Sequence, residues 1–208
     1  MIDIKKQAQS TLEMLESVLQ EMQKKKKWQL NRLAGHLKIL RQELNETRHE
    51  LEIDGLTRVY NRKALDDHLS KLRSIHQYSG FPMCLLIMDV DRFKRIKDKY
   101  ATPSGDTILK DFAKLLVQTF PRRTDFVARY GGEEFALILP NTAAEDALAL
   151  GERLRKHIAE FNWPSGKLTA SIGVTSRQSD DTHPTLLSRA DRALYAAKAA
   201  GRNSVIHQ

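Results

Sequence analysis

The chain has 208 residues, 41% apolar and 29% charged, with a formal net charge of +8, which suits one ordinary domain with an added segment, or two small ones. A single cysteine, Cys84, excludes an internal disulfide framework, no apolar run reaches the roughly 18 residues of a membrane span, and the N-terminus lacks the apolar core of a signal peptide. The expectation is a soluble cytoplasmic protein with no membrane span, in which Cys84 is a buried small hydrophobe.

Residues 1–52 hold 10 basic and 8 acidic side chains, leaving 24 and 18 beyond them. That surplus of six suits a polyanionic ligand such as a nucleotide. The basic residues are scattered and not interleaved with aromatics, which argues against nucleic acid.

The first 52 residues contain no proline and one glycine. Ala8, Leu12, Leu15, Leu19 and Met22 follow alternating four-three spacing, as do Leu33, Leu37, Leu40, Leu44, Thr47 and Leu51. Each set is a heptad seam, so residues 1–51 read as a helical coiled-coil stalk. A single helix packed on its own domain is the alternative. The halves differ by one residue in register, and carrying the first forward places Lys26 and Gln29 on the seam. A stutter or weakly paired section is expected at Lys24–Lys27. Those lysines read as a solvated helix face, with a membrane-surface patch as the rival.

Residues 52–208 form the expected globular domain. Asp54-Gly55-Leu56-Thr57 breaks the heptads and caps a helix running through Asn61 to about Ile75. Met83–Val90 is a buried strand, Asp106–Thr119 a helix, and Phe126–Tyr130 with Phe135–Leu139 a hairpin. Then come a helix over Thr142–Phe161, a strand over Leu168–Thr175, a helix over Leu186–Ala200 and a last strand over Ser204–His207. Helices alternating with strands around a central hairpin predict an α+β sandwich.

Two places carry chemistry. The strand Met83–Val90 delivers Asp89, with Asp91 two residues on and so on the same side. Phe93 and Lys94 follow at a helix start. Acids at a strand end beside helix amides suit a Mg²⁺-bound triphosphate, although Asp91 could instead cap that helix. The second place is Gly131-Gly132-Glu133-Glu134, where two acids follow a glycine turn that does not itself require them. Read blandly, it is a solvated acidic hairpin. If the hairpin lies beside the first strand, Glu133 and Glu134 converge on Asp89, and three carboxylates at one spot call for a cation.

Together these motifs closely resemble the GGDEF family, the diguanylate cyclases of bacterial signalling, over roughly residues 52–207. The resemblance is carried in order by Asp54-Gly55-Leu56-Thr57 with Asn61-Arg62, Asp89-Val90-Asp91-Arg92-Phe93-Lys94, Gly105-Asp106 and Arg129–Phe135. Ala170–Val174 and Asp191–Tyr195, with Lys198 and Gly201-Arg202-Asn203, complete it. It implies a ferredoxin-like, cyclase-palm fold with a central five-stranded sheet flanked by helices. It also implies condensation of two GTP into cyclic di-GMP with release of two pyrophosphates.

By position, Asp89, the Val90 carbonyl and Glu133 resemble ligands for Mg²⁺ (or Mn²⁺), with Glu134 beside them. Glu133, Glu134 and Lys198 would be catalytic, Glu133 helping to deprotonate the attacking ribose 3′-OH. Phe93, Lys94, Lys97, Asp106, Lys198 and Arg202 would bind substrate. Lys198 and Arg202, four apart, are expected to share one helix face and reach one triphosphate. Arg122-Arg123-Thr124-Asp125 matches the family's inhibitory product site, with Arg122 and Asp125 in its named positions.

The chain departs from the pattern where Lys97 replaces the asparagine that helps read guanine and Thr102 replaces a histidine. Lysine donates but does not accept. It still suits guanine O6 or N7, leaving N1–H and N2–H to Asp106. Guanine preference should survive with weaker binding. Because each site of this type holds one GTP, the resemblance implies a homodimer or higher oligomer, formed through residues 1–51. A regulatory protein on the stalk is a further expected partner. The rival reading is a catalytically weak domain acting as a cyclic di-GMP receptor through Arg122 and Asp125.

Overall fold

The structure is a computed structural model describing residues 2–100, 102–164 and 166–208, with side-chain detail for all of these except 2–10, 13, 45, 48, 49, 73–79, 99, 100 and 102–104. Ala101 and the side chain of Thr102 therefore lie outside the described residues. The chain divides into two compact units, Met1–Leu51 and Glu52–Gln208.

The first unit is one continuous helix, α1 (Ile2–Glu52). The register change at Lys24–Lys27 leaves the helix unbroken, since every residue there is a competent helix former. Its seam leucines are uncovered in the single chain: Leu12, Leu19, Leu33, Leu37 and Leu40 are all more than half exposed.

In the second unit α2 (Arg62–Ser79), β1 (Met83–Val90), α3 (Phe93–Tyr100), α4 (Thr102–Thr119), β2 (Phe126–Gly131) and β3 (Glu134–Pro140) come first. They are followed by α5 (Ala144–Glu160), β4 (Ala170–Ser176), α6 (His183–Ala199) and β5 (Val205–His207). The five strands form one sheet in the order β2-β3-β1-β4-β5. All neighbours are antiparallel except β4 and β5, which are parallel.

Strand β1 reads as an unbroken apolar run because both its faces are covered. Cys84, Leu86 and Met88 pack with Phe112, Leu116 and Leu154 from α4 and α5. Met83, Leu85 and Ile87 pack with Leu65, Leu69, Ala190 and Leu194 from α2 and α6. Burial pushes the Cys84 thiol up to about 11, so it is a core residue without thiolate chemistry.

Several expected boundaries move. The cap of α2 is Asn61, whose Oδ1 accepts from the Ala64 amide at 2.9 Å. Asp54 instead closes its own turn by accepting from the Thr57 amide and hydroxyl at 2.8 and 2.7 Å. Helix α6 begins at His183 because Thr182 and Thr185 form a reciprocal capping box. One glycine is fixed by packing. A Cβ on Gly173 of β4 would overlap the α6 backbone at Leu194 N and Ala190 O.

Candidate active site

The site is built where β1 ends beside the β2–β3 hairpin. Pairing of β1 with β3 sets Asp89 opposite Glu134, and the Val90 amide donates to the Glu133 carbonyl at 3.3 Å. The hairpin tip is Gly132-Glu133, so Glu133 lies in the turn itself and Glu134 opens β3.

Neither Gly131 nor Gly132 uses the left-handed backbone region. A Cβ on Gly132 would meet nothing within 4 Å, and one on Gly131 only Glu134 Oε2 at 3.6 Å. The chain's own packing does not demand these glycines. Their missing side chains leave room at the tip for something from outside.

A residue of the signature not assigned a role from sequence, Arg129, braces this tip. Its Nε and Nη2 donate to the Gly132 carbonyl at 3.0 and 2.7 Å, while Nη1 donates to Asp54 Oδ1 at 3.1 Å. Burial pushes Asp54 up, but the Thr57 hydrogen bonds and the Arg129 guanidinium outweigh it and hold its carboxyl below the ordinary value. The Asp54 turn and the hairpin are therefore one braced unit. The only sequence clue was that both lie in matching motifs.

Lys198, in the last turn of α6, places Nζ 2.9 Å from Asp89 Oδ2 and 4.0 Å from Glu134 Oε1. Burial raises the Asp89 carboxyl above its ordinary value, offset by Lys198 and reinforced by Glu133 and Asp91. Burial likewise raises Glu134, with Lys198 again opposing and Asp89 among the groups reinforcing. One ammonium does not neutralise this pocket, and a further cation would relieve both groups.

Among the described residues no three His, Cys, Asp or Glu side chains are grouped as a metal cage. The oxygen groups expected to hold a metal, on Asp89, Val90 and Glu133, belong to residues at the strand end and the adjoining turn. Such a hard oxygen set would fit Mg²⁺, which takes one or two carboxylates and completes its shell with water and phosphate oxygens.

The Asp89–Asp91 pair is separated by the fold. Asp91 is 6% exposed. It accepts from Ser171 Oγ and Thr169 Oγ1, each at 2.7 Å, and from the Asn203 amide at 2.9 Å. Its lone pairs are turned to protein donors, so it is not part of the carboxylate cluster and does not cap α3.

The shared helix face expected for Lys198 and Arg202 also requires correction. Helix α6 stops at Ala199, and Gly201, Arg202 and Asn203 follow with φ of 111°, 69° and 44°. Glycine past the C-cap ends the helix, so Arg202 projects from a left-handed turn and not from the face of Lys198.

Phe93 is buried at the start of α3, with Lys94 exposed beside it. Lys97 is exposed, its Nζ 6.0 Å from the Phe93 ring centroid. Gly105 packs against the stem of Lys97, whose Cγ lies 2.9 Å from where a Cβ would sit. The exposed Asp106 follows on α4, so the α3–α4 contact keeps both positions expected to read guanine on adjoining helices.

Arg122 and Asp125 lie before β2, at the far end of β3 from the carboxylates, about 20 Å away by strand geometry. Arg122 Nε is 3.3 Å from Asp125 Oδ2, and the Arg122 side chain is half exposed while the Asp125 carboxylate is only 1% exposed. Burial raises the Asp125 carboxyl, with Arg122 opposing. An open cavity of about 440 Å³ adjoins Arg122, lined also by Asn141, Thr142, Asp146 and Arg153. Arg153 of α5 was not singled out from sequence, where it is one basic residue among many on a helix.

The model of the GGDEF domain of diguanylate cyclases matches residues 51–204. The chain belongs to this family. It is 40% identical over 172 residues to the response regulator PleD of Caulobacter vibrioides, an alignment covering 78% of this chain and 38% of PleD. It thus spans under two fifths of the length of that relative.

Among solved structures, it resembles the coiled coil and GGDEF domain of DgcB from Caulobacter crescentus in complex with c-di-GMP. The TM-score is 0.77 at 32% identity, covering 86% of this chain and 97% of that one. It also resembles SiaD of Pseudomonas aeruginosa in complex with its activator SiaC. Here the TM-score is 0.77 at 30% identity, covering 99% and 82%. The five-stranded sheet with flanking helices is therefore the GGDEF cyclase palm. Gly131–Phe135 is its signature in the Glu-Glu form.

Proposed function

We propose that this GGDEF protein condenses two GTP into cyclic di-GMP and two pyrophosphates, with each of two domains holding one GTP. Each ribose 3′-oxygen would attack the α-phosphorus of the other nucleotide, and the bond to pyrophosphate would break. The observation that carries this reading is the Asp89–Glu134–Lys198 cluster at the β1 end, beside the Gly132-Glu133 tip that leaves room for a phosphate.

Asp89, the Val90 carbonyl and Glu133 would hold Mg²⁺ (or Mn²⁺), which when bound supplies positive charge to attacking and leaving oxygens. Glu133 takes up the 3′-OH proton. Glu134 completes the negative wall, and Lys198 releases its carboxylates to meet the triphosphate. Lys94 and Arg202 contact phosphates, while Lys97 and Asp106 read guanine. Residues 1–51 act as a dimerising stalk and residues 52–208 as the cyclase domain. A relative bound to its activator supports a regulatory protein as a further partner.

Product would bind at Arg122 and Asp125, with Arg153 across the cavity as an additional guanidinium for phosphate or a guanine edge. The Arg122 and Arg153 guanidiniums lining one open cavity favour this placement, and they equally support a second reading, a receptor that binds cyclic di-GMP without making it. Chromatography of GTP incubated with Mg²⁺ and the purified protein, beside Glu133→Gln, separates the two readings. Cyclic di-GMP from the parent alone supports the cyclase. Tight Arg122-dependent binding of cyclic di-GMP with no product from either protein supports the receptor.

A further inference from the structure

From Met22 to Gln42, α1 carries Lys24, Lys25, Lys26, Lys27, Arg32, Lys38 and Arg41 and no acidic residue. Glu13, Glu16 and Glu21 precede this segment, and Glu43, Glu46, Glu50 and Glu52 follow it. Every residue in it is exposed. Over about 30 Å of helix, two copies paired in parallel would set fourteen like charges side by side, with Lys26 in the seam. Like charges at this spacing repel within the Debye length.

A second apolar stripe lies off the seam. Met14, Val18, Trp28 and Ile39 are 72%, 49%, 59% and 56% exposed. They fall on one four-three series with Glu21, Lys25, Arg32 and Gly35 between them, and the Arg32 guanidinium sits 5.4 Å from the Trp28 ring centre. Four anchors spread among charges are too sparse for insertion into a lipid surface. Tryptophan and arginine side by side are the residues that dominate protein interfaces.

We propose that residues 22–42 dock an acidic protein partner, whose carboxylates neutralise this belt and thereby allow two stalks to pair. The proposal deepens the functional reading by naming the chemistry of the stalk's partner, and only its activity arm rests on that reading. The test follows the oligomeric state of the full chain, with poly-L-glutamate as the acidic probe and phosphatidylserine vesicles and duplex DNA as competitors. At low salt, poly-L-glutamate is expected to raise the dimer fraction at least threefold. The triple variant K24Q/K25Q/K27Q should be dimeric without the probe and indifferent to it. Preference for vesicles or DNA, or a triple variant no more dimeric than the parent, overturns the proposal. A dimer response in a chain that makes no cyclic di-GMP would count against the cyclase while leaving the docking surface standing.

A separate observation concerns the turn after α6. Arg202 and Asn203 hold left-handed conformations that non-glycine residues rarely adopt, and the turn is held from several sides. Asp91 accepts from the Asn203 amide at 2.9 Å, Arg155 of α5 donates to Asn203 Oδ1 at 2.9 Å, and the Ser204 carbonyl accepts from Ile172 of β4 at 3.0 Å. Asp91 is two residues from Asp89 and is itself fixed by Thr169 and Ser171.

We infer that Asp91 is a positioning residue, locking the strained turn so that Arg202 faces the nucleotide held at Asp89. This rests on Arg202 as a phosphate contact. The test is a cycle of Asp91→Asn, Arg202→Ala and the double variant, reading KM for GTP apart from kcat. Each single change is expected to raise KM about tenfold with kcat within about twofold, and the double to match Arg202→Ala alone. Multiplying effects, or a fall in kcat at constant KM, overturn it. Arg155→Ala loosens the same turn from the α5 side and must show the same non-additivity if Asp91→Asn fails to fold. An unchanged KM in Arg202→Ala would instead remove the phosphate role itself.

Discussion

At the scale of single residues the proposed chemistry rests on Glu133 and Asp89. Glu133→Gln keeps the size of the side chain and removes its charge. It is expected to lower the turnover of GTP by about 10²–10⁴-fold, the usual worth of a positioned acid or base, without moving Tm. The pH dependence follows from burial. Asp89 and Glu134 both bind protons more tightly than ordinary carboxyls. With no metal bound, both should take up protons at higher pH than ordinary carboxyls, so Mg²⁺ affinity is expected to weaken as pH falls through that range, measured by Mg²⁺ titration at several pH values.

The stability sign runs opposite at Asp54. Its lowered carboxyl stabilises the fold above the ordinary Asp range, and that contribution disappears as pH falls through the folded value. Asp54→Asn should cost about 1.5–3 kcal/mol at pH 7, a usual figure for hydrogen bonds to a charged group, and almost nothing in acid. Urea unfolding at the two pH values measures it. At the guanine positions, Lys97→Asn restores both a donor and an acceptor and is expected to lower KM for GTP several-fold. A competing ATP should gain nothing, because adenine has no N1–H or N2–H for Asp106.

The elements show how much could be read beforehand. The β1 strand, the hairpin and the order of helices were legible because apolar periodicity and glycine turns are local signals. The carboxylate cluster was legible because a motif records which residues meet, even when they lie 45 positions apart like Asp89 and Glu134. What escaped was long-range or conformational. Asp91 stands two residues from Asp89, and its burial depends on Ser171, Thr169 and Asn203, roughly 80 to 110 positions later. The break between Lys198 and Arg202 follows from three left-handed residues, which helical spacing cannot register. Arg129 was visible as part of a signature, but its partner Asp54 lies in another motif 75 residues away.

Two glycines separate fold from function at this scale. Gly173→Ala forces a methyl into the α6 backbone and should cost about 3 kcal/mol or more, beyond the common range for overpacking. Gly132→Ala meets open space, so Tm should be retained while turnover falls at least tenfold. Thermal unfolding and initial rates on the same two proteins make the comparison.

For the whole molecule, the proposed pair of half-sites and the proposed product site predict distinct behaviours. If each domain holds one GTP, product formation requires two chains, and the exposed seam of α1 is a surface on which they could pair. The Arg122–Asp125 region lies at the other end of β3, so product held there would act at a distance from the carboxylates. Arg122→Ala is expected to weaken inhibition by added cyclic di-GMP at least tenfold and to leave the initial rate in its absence within about twofold.

The most direct test of the central claim is the initial rate of cyclic di-GMP formation from GTP and Mg²⁺ as the chain is diluted through its dimerisation range. A cyclase assembled from two half-sites predicts a rate rising with the square of concentration at the dilute end and linearly once dimers prevail. Product formed in simple proportion to chain concentration while the protein is monomeric, or no product at concentrations where it is fully dimeric, would contradict the account.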